Sequence, residues 1–526
     1  MKVEMNLQDL RKAAAESPRI VSFPEIDEKI RMQVCNTPLY TLTQTEQEDD
    51  RENAALFSSP VNMNNWDTVT VIRADSLNAA IAAEKTYPEK IDYSLTDDAA
   101  DGSVYKISGT FHPWQITPGG SGKNVWFEIV FDDGTFEAGG STFRLKETSA
   151  VISVELAYFP RPEAQAKNGE YKLTVKTSGE ENRQDCVSVL NVDTKGSVPL
   201  LMESVFSSVL VSWLNSEETL ALFQPLFATV VIDNGSSVDF SWLKPTYMSY
   251  AYRDDPDLGQ ALFGVLCMTN GRDGSEGIRQ LPLVSMKKDQ SLIYLINREI
   301  FVKYQYLPGL PLTIEGTTAD NYKLGEDSLS VSAEDIPLEG VKYGAVTYHP
   351  EMKSFHIFFD ESRVRTVLQI DVNISPGIDV HSYVETEHIF ALGYNEKGEP
   401  TMIYKNVGEP MVRNETELGI GVIITEVVAD IIIAVVSTMI VEALEKVVAR
   451  VLVAAAAIIV AAVVAFVIHE VIEGIIADGT LDKLPSVTPM VQAGTDPVKW
   501  PFLDSGEFEV KEISYSGAFI FAGKAK

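Results

Sequence analysis

Apolar and polar residues alternate with period two along much of the chain after residue 61. Ile152, Val154, Leu156 and Tyr158 are spaced by Ser153, Glu155 and Ala157. Tyr171, Leu173 and Val175 alternate with Lys172, Thr174 and Lys176, and Leu368, Ile370, Val372 and Ile374 are spaced by Gln369, Asp371 and Asn373. Successive strand side chains point to opposite faces, so this pattern predicts strands with one buried and one wet face. Pro118-Gly119-Gly120-Ser121-Gly122 and Asp132-Asp133-Gly134 supply turn chemistry between them. Strands do not alternate with helices in βαβ order, so the expected sheets are antiparallel.

Three segments change period. Over residues 201–214 the pairs Leu201/Met202, Val205/Phe206, Val209/Leu210 and Trp213/Leu214 recur every fourth residue, with Ser204, Ser207, Ser208 and Ser212 between them. That spacing predicts a helix. Over residues 291–307, Ile293, Ile296, Ile300 and Tyr304 step by three and four, predicting a second helix that Pro308-Gly309 stops. The third is a long apolar segment, residues 418–476. A few helices among many strands define an α+β fold, with helices packed against curved antiparallel sheet.

The long segment has two limbs. Residues 451–468 carry no charged or hydrogen-bonding side chain and as a helix would be about 27 Å long, close to a bilayer core. Val451, Ile458, Ile459 and Phe466 are its candidate membrane-contacting residues. In the preceding limb, Glu426 and Asp430 sit one helical turn apart, and an acid at the bilayer centre costs about 2.5–3.5 kcal/mol. Two readings stay open: a helix buried all round by sheet, or a membrane-inserting hairpin. Ordinary strand-like sequence resumes over residues 507–521, which favours burial.

Composition narrows the function. The chain has 526 residues, 45% of them hydrophobic, enough for several domains with large cores. A net charge of −32 argues against nucleic acid and against long-range attraction to anionic membranes. Cys35, Cys186 and Cys267 are far apart, so no disulfide framework is expected. Residues 1–20 lack the apolar stretch of a classical signal peptide, and residues 1–60 read as a partly flexible N-terminal extension with a short helix over 8–16.

Catalytic patterns are missing. His381 and His388, near Glu385 and Glu387, come closest to a metal cluster, but a seven-residue spacing on a strand puts them on opposite faces. The stretch Thr117 to Asn124 departs from a phosphate loop: Thr117 stands where glycine is needed, and Asn124 where Ser or Thr is needed. A hairpin turn is the better reading. Asp254-Asp255-Pro256-Asp257 fails as a calcium loop because Val265 occupies the twelfth position and Pro256 the third. No Gly-x-Ser-x-Gly elbow occurs, and neither a cofactor nor a metal is expected.

Several stretches together resemble a known family. They are Asn65-Trp66-Asp67-Thr68-Val69 with Ser76-Leu77-Asn78-Ala79-Ala80-Ile81, Phe111-His112-Pro113-Trp114-Gln115-Ile116 with the glycine turn and Val125-Trp126, Phe227-Ala228-Thr229-Val230, Trp242-Leu243-Lys244-Pro245-Thr246-Tyr247, and Leu307-Pro308-Gly309-Leu310-Pro311. Their order is similar to that of the forty-seven-kilodalton clostridial protein encoded beside botulinum neurotoxin genes and its OrfX relatives, in the tubular lipid-binding (TULIP) superfamily. The resemblance covers the chain from about residue 61 on. It implies two TULIP-type modules, residues 61–235 and 236–526, the latter with the apolar helical segment 418–477. In each, highly curved antiparallel sheet wraps a long helix and encloses an apolar groove. The implied function is non-enzymatic binding of a lipid or phosphoinositide, in association with related subunits or a toxin. Phe206, Trp213, Phe223, Ile296 and Ile300 are the expected groove-lining residues, with plain core packing as the alternative for each. Trp114 and Trp126 flank the glycine turn, as interfacial anchors or as core. A membrane-inserting protein using residues 418–476 and a structural assembly subunit without lipid cargo are the rival functions.

Overall fold

The computed structural model describes residues 19–22, 24–35, 60–97, 102–159, 169–177, 185–232, 240–257, 259–275, 277–312, 314, 316–420, 422, 429–438, 474–475, 483–503 and 508–525. They form an α+β fold dominated by antiparallel sheet. The chain divides into two compact units. The first holds residues 62–295, 491–511 and 522–526, and the second holds 1–61, 296–490 and 512–521. These boundaries differ from a division at 235/236, and strand pairing is the reason. Leu262–Thr269 pairs with Thr68–Arg73 on one side and with Pro245–Arg253 on the other, so residues beyond 236 belong with the opening strand.

In the first unit, Lys90–Asp97, Ser103–Phe111, Asn124–Ala138 and Ser149–Phe159 pair in that order. Ser149–Phe159 buries every second residue, Ala150 through Tyr158, as its alternation predicts. Asp132-Asp133-Gly134 is a correction: it lies inside the strand Asn124–Ala138 rather than between strands. Gly109 faces Gly134 there, next to a register shift, so the two backbones approach where no Cβ would fit. The expected hairpin at the glycine turn is present, between Gln115–Ile116 and Asn124–Ala138. Gly119 has φ 121°, and a Cβ on it would fall within the Trp126 ring.

Leu200–Leu214 is helical, as its four-residue step predicts, and buries Phe206, Val209, Leu210, Trp213 and Leu214. Asn215 ends it and ties it to the sheet. The Asn215 side chain accepts from the Val187 amide at 3.0 Å and donates to the Val187 carbonyl at 2.8 Å. Ser216 then caps a second helix, Glu217–Leu222, by accepting from the Thr219 amide.

An eight-stranded antiparallel sheet organises the second unit. Its order is Arg19–Val21, Met411–Leu418, Ile378–Tyr394, Val364–Ser375, Glu351–Phe359, Ser330–Pro337 and Tyr322–Leu324, with Pro400–Asn406 pairing the far end of Ile378–Tyr394. Leu368, Ile370 and Val372 are buried, as predicted, while Asp371 and Gln369 lie on the other face. The N-terminal extension contributes directly. Arg19–Val21 adds an edge strand, and helix Pro24–Cys35 packs against Met411–Leu418. Asp27 accepts from the Asn414 amide and side chain at 2.9 and 2.8 Å.

The helix expected over residues 291–307 is only partly helical. Leu292–Asn297 is a strand with every residue buried, and helical turns begin at Arg298. A continuous buried apolar run has no wet face to impose period two, so its spacing mimics a helix. Asn297 caps the turn that follows by accepting from the Glu299 amide at 2.8 Å. Pro308-Gly309 does not stop the helix; turns continue through Leu310–Leu312 because proline is tolerated at a helix start. In the long apolar segment, Leu418 ends a strand and residues 429–438 are helical. Val451, Ile458, Ile459 and Phe466 lie outside the described residues, as does the expected helix over 8–16. Among the described residues no helix is long and apolar enough to cross a membrane.

Candidate functional site

The helix pair Leu200–Leu214 and Glu217–Leu222 lies over a band of aromatic rings in the first unit. From one end, Phe136 and Phe206 have centroids 5.3 Å apart, Phe206 and Phe131 6.2 Å, and Phe131 and Phe111 4.5 Å. Phe111 stacks on Trp213 at 5.5 Å, Trp213 meets Trp114 at 6.1 Å, and Trp114 meets Phe223 at 4.7 Å. The band continues through Phe127, Phe227 and Phe263 to Trp500. Each such pair is worth about 0.5–1.5 kcal/mol beyond its buried area.

The structure therefore brings Phe206, Trp213 and Phe223 together, all buried. Ile296 and Ile300 are buried too, but in the second unit. Their neighbourhood there is a separate aromatic cluster in which Phe301 meets Phe519 at 3.9 Å, Tyr306 meets Phe359 at 5.1 Å, and Phe390 meets Phe519 at 5.4 Å. Sequence reasoning missed the sheet's share of the first band. Phe127, Ile129 and Phe131 alternate on one strand, and that was the available signal. Trp114 is core, fully buried. Its indole Nε1 has no hydrogen-bond partner inside the band. At the ends of the helix pair Leu200, Leu201 and Leu222 are 83%, 86% and 63% exposed.

Asn65-Trp66-Asp67 is a structural clamp. The Thr269 amide and hydroxyl donate to the fully buried Asp67 carboxylate at 2.7 and 3.0 Å, and Arg272 pairs with it. Burial raises the Asp67 pKa, against the lowering pull of Thr269 and Arg272. Trp66 donates to the Ile278 carbonyl at 2.8 Å and stacks on Tyr247. His381 and His388 lie on opposite faces of one strand, as their spacing predicts. His381 Nδ1 meets Asp371 at 2.9 Å, whereas His388 is buried on the other side. Among the described residues no group of three or more His, Cys, Asp or Glu is placed to hold a metal ion.

A helix pair laid on a strongly paired antiparallel sheet, with an aromatic band between, defines a class of helix-on-sheet protein. The chain belongs to the OrfX-like family, described as Protein OrfX2/OrfX3/P47, which it matches over residues 63–523. It is 28% identical over 396 residues to Protein OrfX3 of Clostridium botulinum (strain Kyoto / Type A2), covering 67% of this chain and 78% of that protein. To Protein OrfX3 of Paraclostridium bifermentans it is 27% identical over 393 residues, covering 66% and 77%. Its fold is similar to P47 from Clostridium botulinum A2, with a TM-score of 0.60 at 15% identity over 89% of this chain and 99% of that one. P47 of Clostridium botulinum E1 gives a TM-score of 0.54 at 16% identity.

Proposed function

We propose that this protein is a non-enzymatic lipid-binding protein of the TULIP kind, acting beside related subunits or a toxin. The aromatic band beneath the helix pair carries the reading. A ligand lying along Phe206, Trp213 and Phe223 gains about 0.8 kcal/mol for each CH₂ it removes from water. Inside the same band the Trp114 N–H offers one polar contact with no acceptor among the described residues, the pairing of apolar wall and sparse polar group that orients an amphiphile. Leu200 and Leu201, exposed at the helix entry, add an apolar edge able to meet a bilayer surface. The family's OrfX and P47 members supply the expected company of related chains.

The test is lipid extraction and native mass spectrometry of the purified protein, followed by flotation with vesicles. Co-purifying lipid, and weaker flotation after Leu200→Ser with Leu201→Ser, is the expected outcome. A protein that is reproducibly empty and also ignores vesicles refutes the reading.

A further inference from the structure

Three side chains on the buried face of the second unit's sheet hold hydroxyls with no hydrogen-bond partner among the described residues. They are Thr366 and Thr386 through Oγ1 and Tyr404 through its hydroxyl, while His388 beside them meets the Val364 backbone and the Asn406 side chain. Register brings them together. Thr366 stands opposite Thr386, and His388 stands between Val364 and Asn406 on the flanking strands. Phe390, two residues on, faces Tyr404. The His388 and Tyr404 rings meet edge to face with centroids 5.6 Å apart. Around them the same face is apolar, with Ile357, Leu368, Val384 and Met402 all buried.

Buried polar atoms are normally satisfied, and each exception needs a reason. Here three such hydroxyls fall on one patch of three adjacent strands. None of the three side chains, nor His388 and Asn406 beside them, is an acid, a lysine or an arginine. Burial holds the His388 pKa down to about 4 and keeps the Tyr404 phenol protonated. At neutral pH the patch is therefore uncharged, with three hydroxyls that can each donate and accept. Arg298, near the adjacent strand, already donates to the Phe359 carbonyl at 3.3 Å.

We infer that this patch binds the uncharged, hydroxyl- and ester-bearing head of an amphiphile of the acylglycerol class, with its chain along the flanking apolar side chains. The inference rests on the lipid-binding reading above and adds a second site and a head-group class. A phosphorylated or carboxylate head would bury charge against neutral dipoles with no cation in the patch among the described residues, which is strongly unfavourable.

The experiment uses full-length protein stripped of lipid. Three probes compete against a fluorescent acyl reporter: 1-oleoylglycerol, oleate, and vesicles containing a phosphoinositide. Two variants, Thr386→Val and the double variant Thr386→Val with Tyr404→Phe, delete hydroxyls while keeping shape. Both should be at least as thermally stable as the wild type without ligand, since they remove unsatisfied atoms. The wild type should prefer 1-oleoylglycerol. The double variant should bind it about tenfold more weakly, the single variant about fivefold, with oleate and vesicle binding unchanged. Unchanged 1-oleoylglycerol binding in both variants, or a wild-type preference for either charged lipid, overturns the inference alone. Failure of the wild type to bind any of the three probes refutes the lipid-binding reading as well.

Discussion

His388 makes the second unit's stability depend on pH in a way that one substitution should abolish. Its ring is fully buried beside Tyr404, and desolvation of the charged form lowers its pKa from 6.5 to about 4. In the unfolded chain the ring protonates near 6.5; in the folded protein it stays neutral to about 4. Between those values the unfolded state binds the extra proton, so stability present at neutral pH is lost on acidification. The whole difference is about 3 kcal/mol, of which about 2 kcal/mol has gone by pH 4.5. Carboxylates elsewhere add their own acid sensitivity, so the measurement is a comparison with His388→Leu. Leucine fills a similar volume and has no proton to take. Urea unfolding of both proteins at pH 7 and pH 4.5 should show the wild type losing about 2 kcal/mol more than the variant. Histidine ring carbons observed by NMR give a second reading, because one of six resonances should stay neutral well below pH 6. Equal pH dependence of the two proteins, or a His388 resonance titrating near 6.5, would refute the reasoning.

Three further outcomes follow from named contacts. Asp67→Ala should cost about 2–4 kcal/mol in thermal or urea unfolding, because it strands Arg272 and the Thr269 amide around a fully buried site; a loss below 1 kcal/mol would contradict the clamp. Gly119→Ala should destabilise by about 2–4 kcal/mol or yield little soluble protein, since φ 121° is a glycine conformation and the new Cβ collides with Trp126; pairing it with Trp126→Ala should restore part of the loss. Asp27→Ala should cost about 1–2 kcal/mol and speed hydrogen exchange across Met411–Leu418, while leaving the first unit's amides unchanged.

Where strands have one wet face, the alternation is written directly in the sequence. Ile152 to Tyr158 and Leu368 to Val372 can be placed by parity alone. Leu292–Asn297 could not be, because every position is buried and a buried strand and a buried helix share the same apolar run. Half of the aromatic band was legible from the helical step through Phe206 and Trp213. The other half, Phe111 and Phe263 on strands and Phe227 just before the strand Ala228–Val231, comes from segments far apart in sequence whose meeting depends on pairing. Parity also placed His388 on the opposite face from His381. It could not show that Thr366 and Thr386 would stand beside His388 without partners, because that follows from register between two strands.

The two polar rows on the buried face of that sheet are met in different ways. Ser382 and Asn414 stand directly opposite each other and are hydrogen-bonded, and Asp27 of the N-terminal extension completes the row by accepting from Asn414. Thr386 and His388 follow Ser382 on the same strand and the same face; His388 meets the Val364 backbone and Asn406, whereas the Thr386 hydroxyl has no partner among the described residues. The extension lies before residue 63, where the family match begins. A fold that supplies an acid to finish Asn414 can bury polar groups without leaving them open. The neighbouring hydroxyls of Thr366, Thr386 and Tyr404 are the groups that the inferred outside partner completes. Their neutrality points to the head-group class inferred for it, since the charged partner in this sheet is spent where an amide and a side-chain N–H are there to receive it.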